Sequence, residues 1–126
     1  MKRKIKTVIY SNEAEYRTVC KILTETGICG HIHECRRVDS WEHLREDLVD
    51  WNPGLAIVAR DGAAGMEGVY LVRQQRPGVP VFWFSDDDDF SVQSHRLECT
   101  YFAAKPLTLE KLRKAFHRCA HVGIRF

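Results

Sequence analysis

Two uninterrupted apolar runs, Leu55-Ala56-Ile57-Val58-Ala59 and Val79-Pro80-Val81-Phe82-Trp83-Phe84, constrain this chain more than any other feature. Each is the length of a single strand, and neither alternates with polar residues. A strand with one wet face alternates, whereas a strand that is apolar at every position must be covered on both sides. Such strands belong to parallel sheets, whose crossover connections lay helices over both faces. The breakers Asn52-Pro53-Gly54 and Arg76-Pro77-Gly78 precede the two runs, and polar residues follow each of them.

The remaining sequence supplies the rest of such a sheet. Ile5 to Tyr10 is a β-rich run that stops at Ser11-Asn12, either of which can cap a helix with Glu13 and Glu15 in its first turn. Tyr16, Val19, Cys20 and Leu23 fall at helical spacing, and Gly27 suits a stop. A second strand is expected within His31 to Val38. A helix capped by Asp39 or Ser40 follows, with Trp41, Leu44, Leu48 and Trp51 on one face. Asp61 to Gly68 reads as a glycine-rich loop ahead of a helix carrying Val69, Leu71 and Val72. Asp86 to Asp89 opens a polar turn and a helix with Phe90, Val92 and Leu97. Tyr101 to Ala104 is a last short strand, cut off by Lys105-Pro106, and Thr108 starts the final helix. The expectation is a single α/β domain over residues 1–126, a five-stranded parallel sheet in a three-layer αβα sandwich.

Composition excludes several classes. No apolar run approaches the roughly 18 residues of a membrane span. The basic start Met1-Lys2-Arg3-Lys4 leads into too short an apolar stretch for a signal peptide, so a cytoplasmic protein is expected. A net charge of +2, with basic residues dispersed among acidic ones, argues against nucleic-acid binding by this domain. The cysteines Cys20, Cys29, Cys35, Cys99 and Cys119 are expected as free thiols.

From Asn52 onward the sequence resembles a response-regulator receiver domain. Asn52 to Val58 is similar to the entry into the third strand, and Gly65-Met66-Glu67-Gly68 to the turn beyond it. Val79 to Ser85 matches the fourth strand ending in Ser, and Phe102-Ala103-Ala104-Lys105-Pro106-Leu107 the close of the fifth. The stretch from Ser85 to Leu112 resembles receivers found ahead of LytTR-type DNA-binding domains. The resemblance implies a flavodoxin/CheY-like (βα)5 fold with its site at the carboxyl ends of the first, third and fourth strands. It also implies retained roles for Ser85, Lys105, Pro106 and the switch aromatic Phe102.

Residues needed for phosphoryl uptake depart from that pattern. The acidic pair after the first strand is replaced by Ser11-Asn12, with Glu13 following, a poor set for an ion that dehydrates as reluctantly as magnesium. The phosphoacceptor position falls on Ala59 counted from Pro53 and on Arg60 counted from Gly65, a mismatch that implies an insertion in the loop. Asp61 is the nearest carboxylate, though a one-residue shift along a strand reverses the facing direction. It reads as a loop or cap aspartate or as a substitute acceptor. Arg60 can place a positive charge in the pocket, and Asp86 to Asp89 can supply a counter-charge to Lys105 or cap a helix.

The expected function is a non-enzymatic, phosphorylation-independent receiver-like domain without a cofactor. It would serve as a protein-interaction or dimerisation module with a protein partner or an output domain beyond this chain. By resemblance, the output face comprises the last helix, the fifth strand and the helix before it, with His95, Phe102, Lys111 and His117. The alternative is a phosphoacceptor switch using Asp61 with Mg2+. A third reading is a metal or redox sensor built on Cys29, His31, His33 and Cys35, which alternate along a strand, or on His117, Cys119 and His121.

Overall fold

The computed structural model describes residues 4–25, 32–124 and 126. The five strands are β1 (Lys4–Tyr10), β2 (Ile32–Val38), β3 (Leu55–Val58), β4 (Val81–Ser85) and β5 (Tyr101–Ala104). They form one fully parallel sheet in the order β2-β1-β3-β4-β5. The helices are α1 (Glu13–Glu25), α2 (Trp41–Asp50), α3 (Gly62–Gln75), α4 (Ser91–Arg96) and α5 (Leu109–His121), with a 3-10 turn at Asp88–Phe90 before α4. The stop expected at Gly27 lies outside the described residues, as do Cys29 and His31.

The two apolar runs are central strands, and their side chains divide between the faces with period two. Leu55, Ile57, Phe82 and Phe84 pack with Val19 and Leu23 of α1 and with Leu112, Ala115 and Phe116 of α5. Ala56, Val58, Val81 and Trp83 pack on the other side with Leu44 and Leu48 of α2 and Val69 and Val72 of α3. Every residue of β3 and β4 is buried.

Helix starts follow the capping chemistry of the sequence. Asn12 Oδ1 accepts from the Glu15 N–H at 2.8 Å, Ser40 Oγ from His43 N–H at 3.1 Å, and Thr108 Oγ1 from Lys111 N–H at 3.2 Å. Trp41 and Val92 were expected on core faces but are exposed. Trp41 is the first residue of α2, and α4 is only six residues long, too short to bury both ends of an apolar stripe.

The glycine-rich segment is helix and not loop. Only Ala59, Arg60 and Asp61 separate β3 from α3, which leaves no inserted loop. Two of its glycines serve close approach: a Cβ on Gly68 would lie 2.7 Å from the Tyr10 ring. One on Gly65 would lie 2.2 Å from the Arg60 carbonyl oxygen and 3.1 Å from Trp83 Nε1. Glycine's weak helix propensity is overridden by the packing that its missing side chain allows.

Candidate functional site

At the carboxyl edge of the sheet, Asn12, Ala59, Arg60, Asp61, Ala64 and Lys105 line a cleft of about 240 Å³. Each arrives there for a local reason. Asn12 caps α1, Ala59 and Arg60 are the residues just past β3, and Asp61 is the N-cap position of α3. Lys105 follows β5 and is joined to Pro106 by a cis peptide bond.

Lys105 organises the cleft. Its ammonium donates to Glu15 Oε1 and Asp61 Oδ1, both at 2.8 Å, and to the Ala59 carbonyl at 2.9 Å. An ammonium has three N–H donors, so this set saturates it. The side chain of Lys105 is 14% exposed, that of Glu15 23% and that of Asp61 53%. Burial pulls the Lys105 pKa down, but the hydrogen bonds and charges of Asp61 and Glu15 outweigh it, and the net shift is upward.

Several expected site residues are placed differently. The counter-charges of Lys105 are Glu15 and Asp61; Asp86, Asp87 and Asp89 make no ion pair with it. Asp87 instead accepts from the Asp89 N–H at 2.9 Å, and Asp87 N–H donates to Ser85 Oγ at 3.2 Å, so this run shapes its own turn. Ser85 is fully buried, its hydroxyl 3.4 Å from Asp86 Oδ1. Glu13 points to solvent and pairs with Arg17 at 2.8 Å. Ser11 is buried, its hydroxyl donating to the Asn12 carbonyl at 2.8 Å, which leaves Asn12 as the member of that trio on the cleft wall. Ala59 is buried, its N–H donating to the Tyr10 carbonyl at 2.8 Å. Arg60 lines the cleft but lays its guanidinium over the Tyr10 ring, 5.3 Å from the centroid.

Glu15 is the functional residue that the sequence reading did not single out. The signal was available: Asn12 as cap fixes the phase of α1. That phase turns Glu13 outward to Arg17 and Glu15 toward the sheet edge.

The donor set fits magnesium poorly. Both nearby carboxylates converge on the Lys105 ammonium, which sits between them where a divalent ion would have to bind. Asn12 Oδ1 is engaged by the Glu15 N–H, and Ser11 Oγ by the Asn12 carbonyl.

Phe102 sits edge-on against Trp83, with ring centroids 5.0 Å apart, and Phe90 rests on the same indole at 5.4 Å. On the expected output face, His95 and His117 are exposed. Lys111 is turned inward: its ammonium donates to the Ala104 and Pro106 carbonyls at 2.6 and 2.9 Å.

Among the described residues no group of three or more His, Cys, Asp or Glu side chains is placed to hold a metal. His33 lies 3.0 Å from Thr7 Oγ1 and edge-on to Phe116, inside the α1–α5 side of the core. Cys119 is buried in α5, while His117 and His121 face out. Burial, with Cys20 beside it, pushes the Cys35 thiol up to about 12, and burial pushes Cys99 up to about 12. Both thiols are therefore protonated at neutral pH and poor nucleophiles.

A further cavity of about 490 Å³ lies at the opposite end of the sheet and includes Arg73, His95 and Arg118 in its lining. Arg73 and Arg118 occupy the last turns of α3 and α5, where their charges complement the helix dipoles. Among the described residues no helix is long and apolar enough to cross a membrane.

No protein-family model matches the sequence, and no curated protein matches it. Solved structures match at the level of fold. A response-regulator receiver domain protein from Clostridium thermocellum is 17% identical with a TM-score of 0.74, over 95% of each chain. The signal receiver domain of a modulated diguanylate cyclase from Desulfovibrio desulfuricans G20 is 18% identical with a TM-score of 0.70, over 94% of each chain. NtrX from Brucella abortus, solved in complex with ADP, is 21% identical with a TM-score of 0.74. That match covers 97% of this chain and 27% of NtrX. The fold is thus the CheY-like fold of receiver domains.

Proposed function

We propose that this chain is a receiver-like signalling domain whose output is independent of phosphorylation, non-enzymatic and without a bound metal. It serves as a protein-interaction module for a partner or an output domain. The observation that carries this reading is the saturation of Lys105. The lysine that the receiver resemblance assigns to a phosphoryl group already has three acceptors within 2.9 Å. Releasing it exposes two carboxylates to one another and leaves the Ala59 carbonyl without its donor, so the arrangement favours one closed state. Homodimerisation through α5 and β5 belongs to the same proposal, and sedimentation analysis tests it. A single species at monomer mass across a hundredfold concentration range removes the homodimer.

The second reading is a phosphoacceptor switch at Asp61. It is favoured by one observation, the contact of this half-exposed carboxylate with Lys105. Incubation with acetyl phosphate and Mg2+ separates the two readings by intact mass. No stoichiometric gain is expected. A gain that disappears in Asp61→Asn overturns the phosphorylation-independent reading.

A further inference from the structure

Two cysteines that take no part in the cleft lie side by side where α1 packs on β2. Tyr16 and Cys20 stand one turn apart on α1, and both pack against the α1–α5 side of the core, as does Cys35 of β2. The Tyr16 hydroxyl donates to the Cys35 carbonyl at 3.4 Å, which fixes this turn of α1 over this residue of the strand. Tyr16 also hydrogen-bonds with the Cys20 side chain, and the Cys20 and Cys35 side chains hydrogen-bond with each other.

The surroundings favour a bond between these two sulfurs. Both are free thiols and both are half-buried, so a small oxidant can reach them. Cys99 packs on the other side of the sheet, and Cys119 is fully buried in α5. α1 and β2 approach to within 8 Å between Cα atoms. A disulfide spans about 4.4–6.8 Å between Cα atoms, so a small closing movement of the helix suffices.

We propose that Cys20 and Cys35 form a reversible disulfide that fastens α1 to β2 when the chain meets hydrogen peroxide. Cys20 reacts first, because burial keeps Cys35 as the thiol. The Cys20 thiolate attacks a peroxide oxygen and the O–O bond breaks. The hydroxide released takes up a proton and leaves as water, and Cys20 becomes a sulfenic acid. The Cys35 sulfur then attacks the Cys20 sulfur, forming the S–S bond and breaking the S–O bond. The departing hydroxide takes the Cys35 proton and leaves as a second water. Two thiols are oxidised by two electrons, and one peroxide is reduced to two waters. Cys35 is a poor nucleophile by itself, and contact with Cys20 supplies the effective concentration that compensates. A low-molecular-weight thiol reverses the bond by exchange. The proposal goes beyond the interaction-module reading and does not depend on it. α1 also carries Glu15, so the cross-link would restrain the helix that holds one counter-charge of Lys105.

The test exposes the reduced intact chain to hydrogen peroxide at pH 8, alkylates the remaining thiols and maps peptides without reduction. A peptide joining Cys20 to Cys35 is expected, with a chain mass lower by two hydrogens that dithiothreitol restores. The oxidised chain should unfold at about 1–2 M higher urea, because the cross-link restrains the unfolded state. In Cys35→Ala the bond cannot close, and Cys20 should accumulate as a sulfenic acid that dimedone labels. In Cys29→Ser the linked peptide should form as in wild type. A disulfide through Cys29 as the principal product, overoxidation of Cys20 without a cross-link, or no cross-link after overnight exposure to millimolar peroxide overturns the proposal.

Discussion

The cleft at the carboxyl edge of the sheet and the groove lined by Met66, Tyr70 and Leu97 between α3 and α4 both draw residues from α3, yet they are opposite in polar bookkeeping. In the cleft every donor of Lys105 meets an acceptor contributed by a different part of the chain. Beside the groove the Gln93 carbonyl oxygen is buried and has no hydrogen-bond partner among the described residues. A closed set of charges holds a structure together and gives a ligand little to gain. A buried acceptor without a donor costs the folded protein stability. The family resemblance draws attention to the first region, whereas the unmet bonding capacity lies beside the second.

Substitutions can break this contrast in graded steps. Gly65→Val acts on the shared helix: its side chain would collide with the Arg60 carbonyl and crowd Trp83, so α3 must shift. A loss of about 3 kcal/mol is expected in urea denaturation. Disturbance of both regions should appear in NMR shifts at Lys105 and Leu97 alike.

Lys105→Met opens the closed set and leaves Glu15 and Asp61 without their cation. A loss of about 2 kcal/mol is expected, below the value for a fully buried pair because Asp61 is half-exposed. The pH dependence has a definite sign. The folded pKa of Lys105 is raised above the ordinary 10.5, so its contribution is complete below pH 10.5 and is lost as pH rises through the folded value. The stability gap between wild type and Lys105→Met should be level from pH 7 to 10 and shrink at higher pH. A gap that widens there contradicts the ion triad.

Asp61→Asn keeps a hydrogen-bond acceptor at the rim but removes one charge, and about 0.5 kcal/mol is expected in the same assay. A much larger loss would mean that Asp61, and not Glu15, carries the network. At the far end of the scale, Gln93→Leu removes the orphaned acceptor and adds apolar surface. Its stability should lie within about 0.5 kcal/mol of wild type, on the favourable side if anything. The loss of a side chain would then be nearly silent beside the groove and costly in the cleft.

The sheet could be read from the sequence because Leu55–Ala59 and Val79–Phe84 are uniformly apolar, a pattern that only a doubly covered strand explains. The helix starts could be read because Asn12, Ser40 and Thr108 carry local capping chemistry. The glycine-rich start of α3 could not be read in this way. Gly68 answers to Tyr10 and Gly65 to Trp83, both far away in sequence, and a local rule takes them for a loop. Asp61 was weighed against the alternation of a strand, but β3 ends at Val58 and the chain has already turned by Asp61. Two counting frames fall on Ala59 and Arg60, one residue apart, because motifs on either side of the junction do not fix where the strand ends. The Lys105 network escaped the sequence because its partners come from α1 and from the β3–α3 junction, both far from Lys105 in the chain. The orphaned Gln93 acceptor escaped it because nothing in a sequence marks an amide that lacks a partner.

Trp83 gives the molecule a reporter of its own. Its indole is fully buried, stacked by Phe90 and Phe102, close to Gly65 of α3. Trp41 is exposed and Trp51 lies beneath Arg36 at the end of α2, so the three indoles occupy distinct environments. The short-wavelength edge of the emission therefore belongs to Trp83. Movement of Phe102 can be followed as a change in colour without attaching a label.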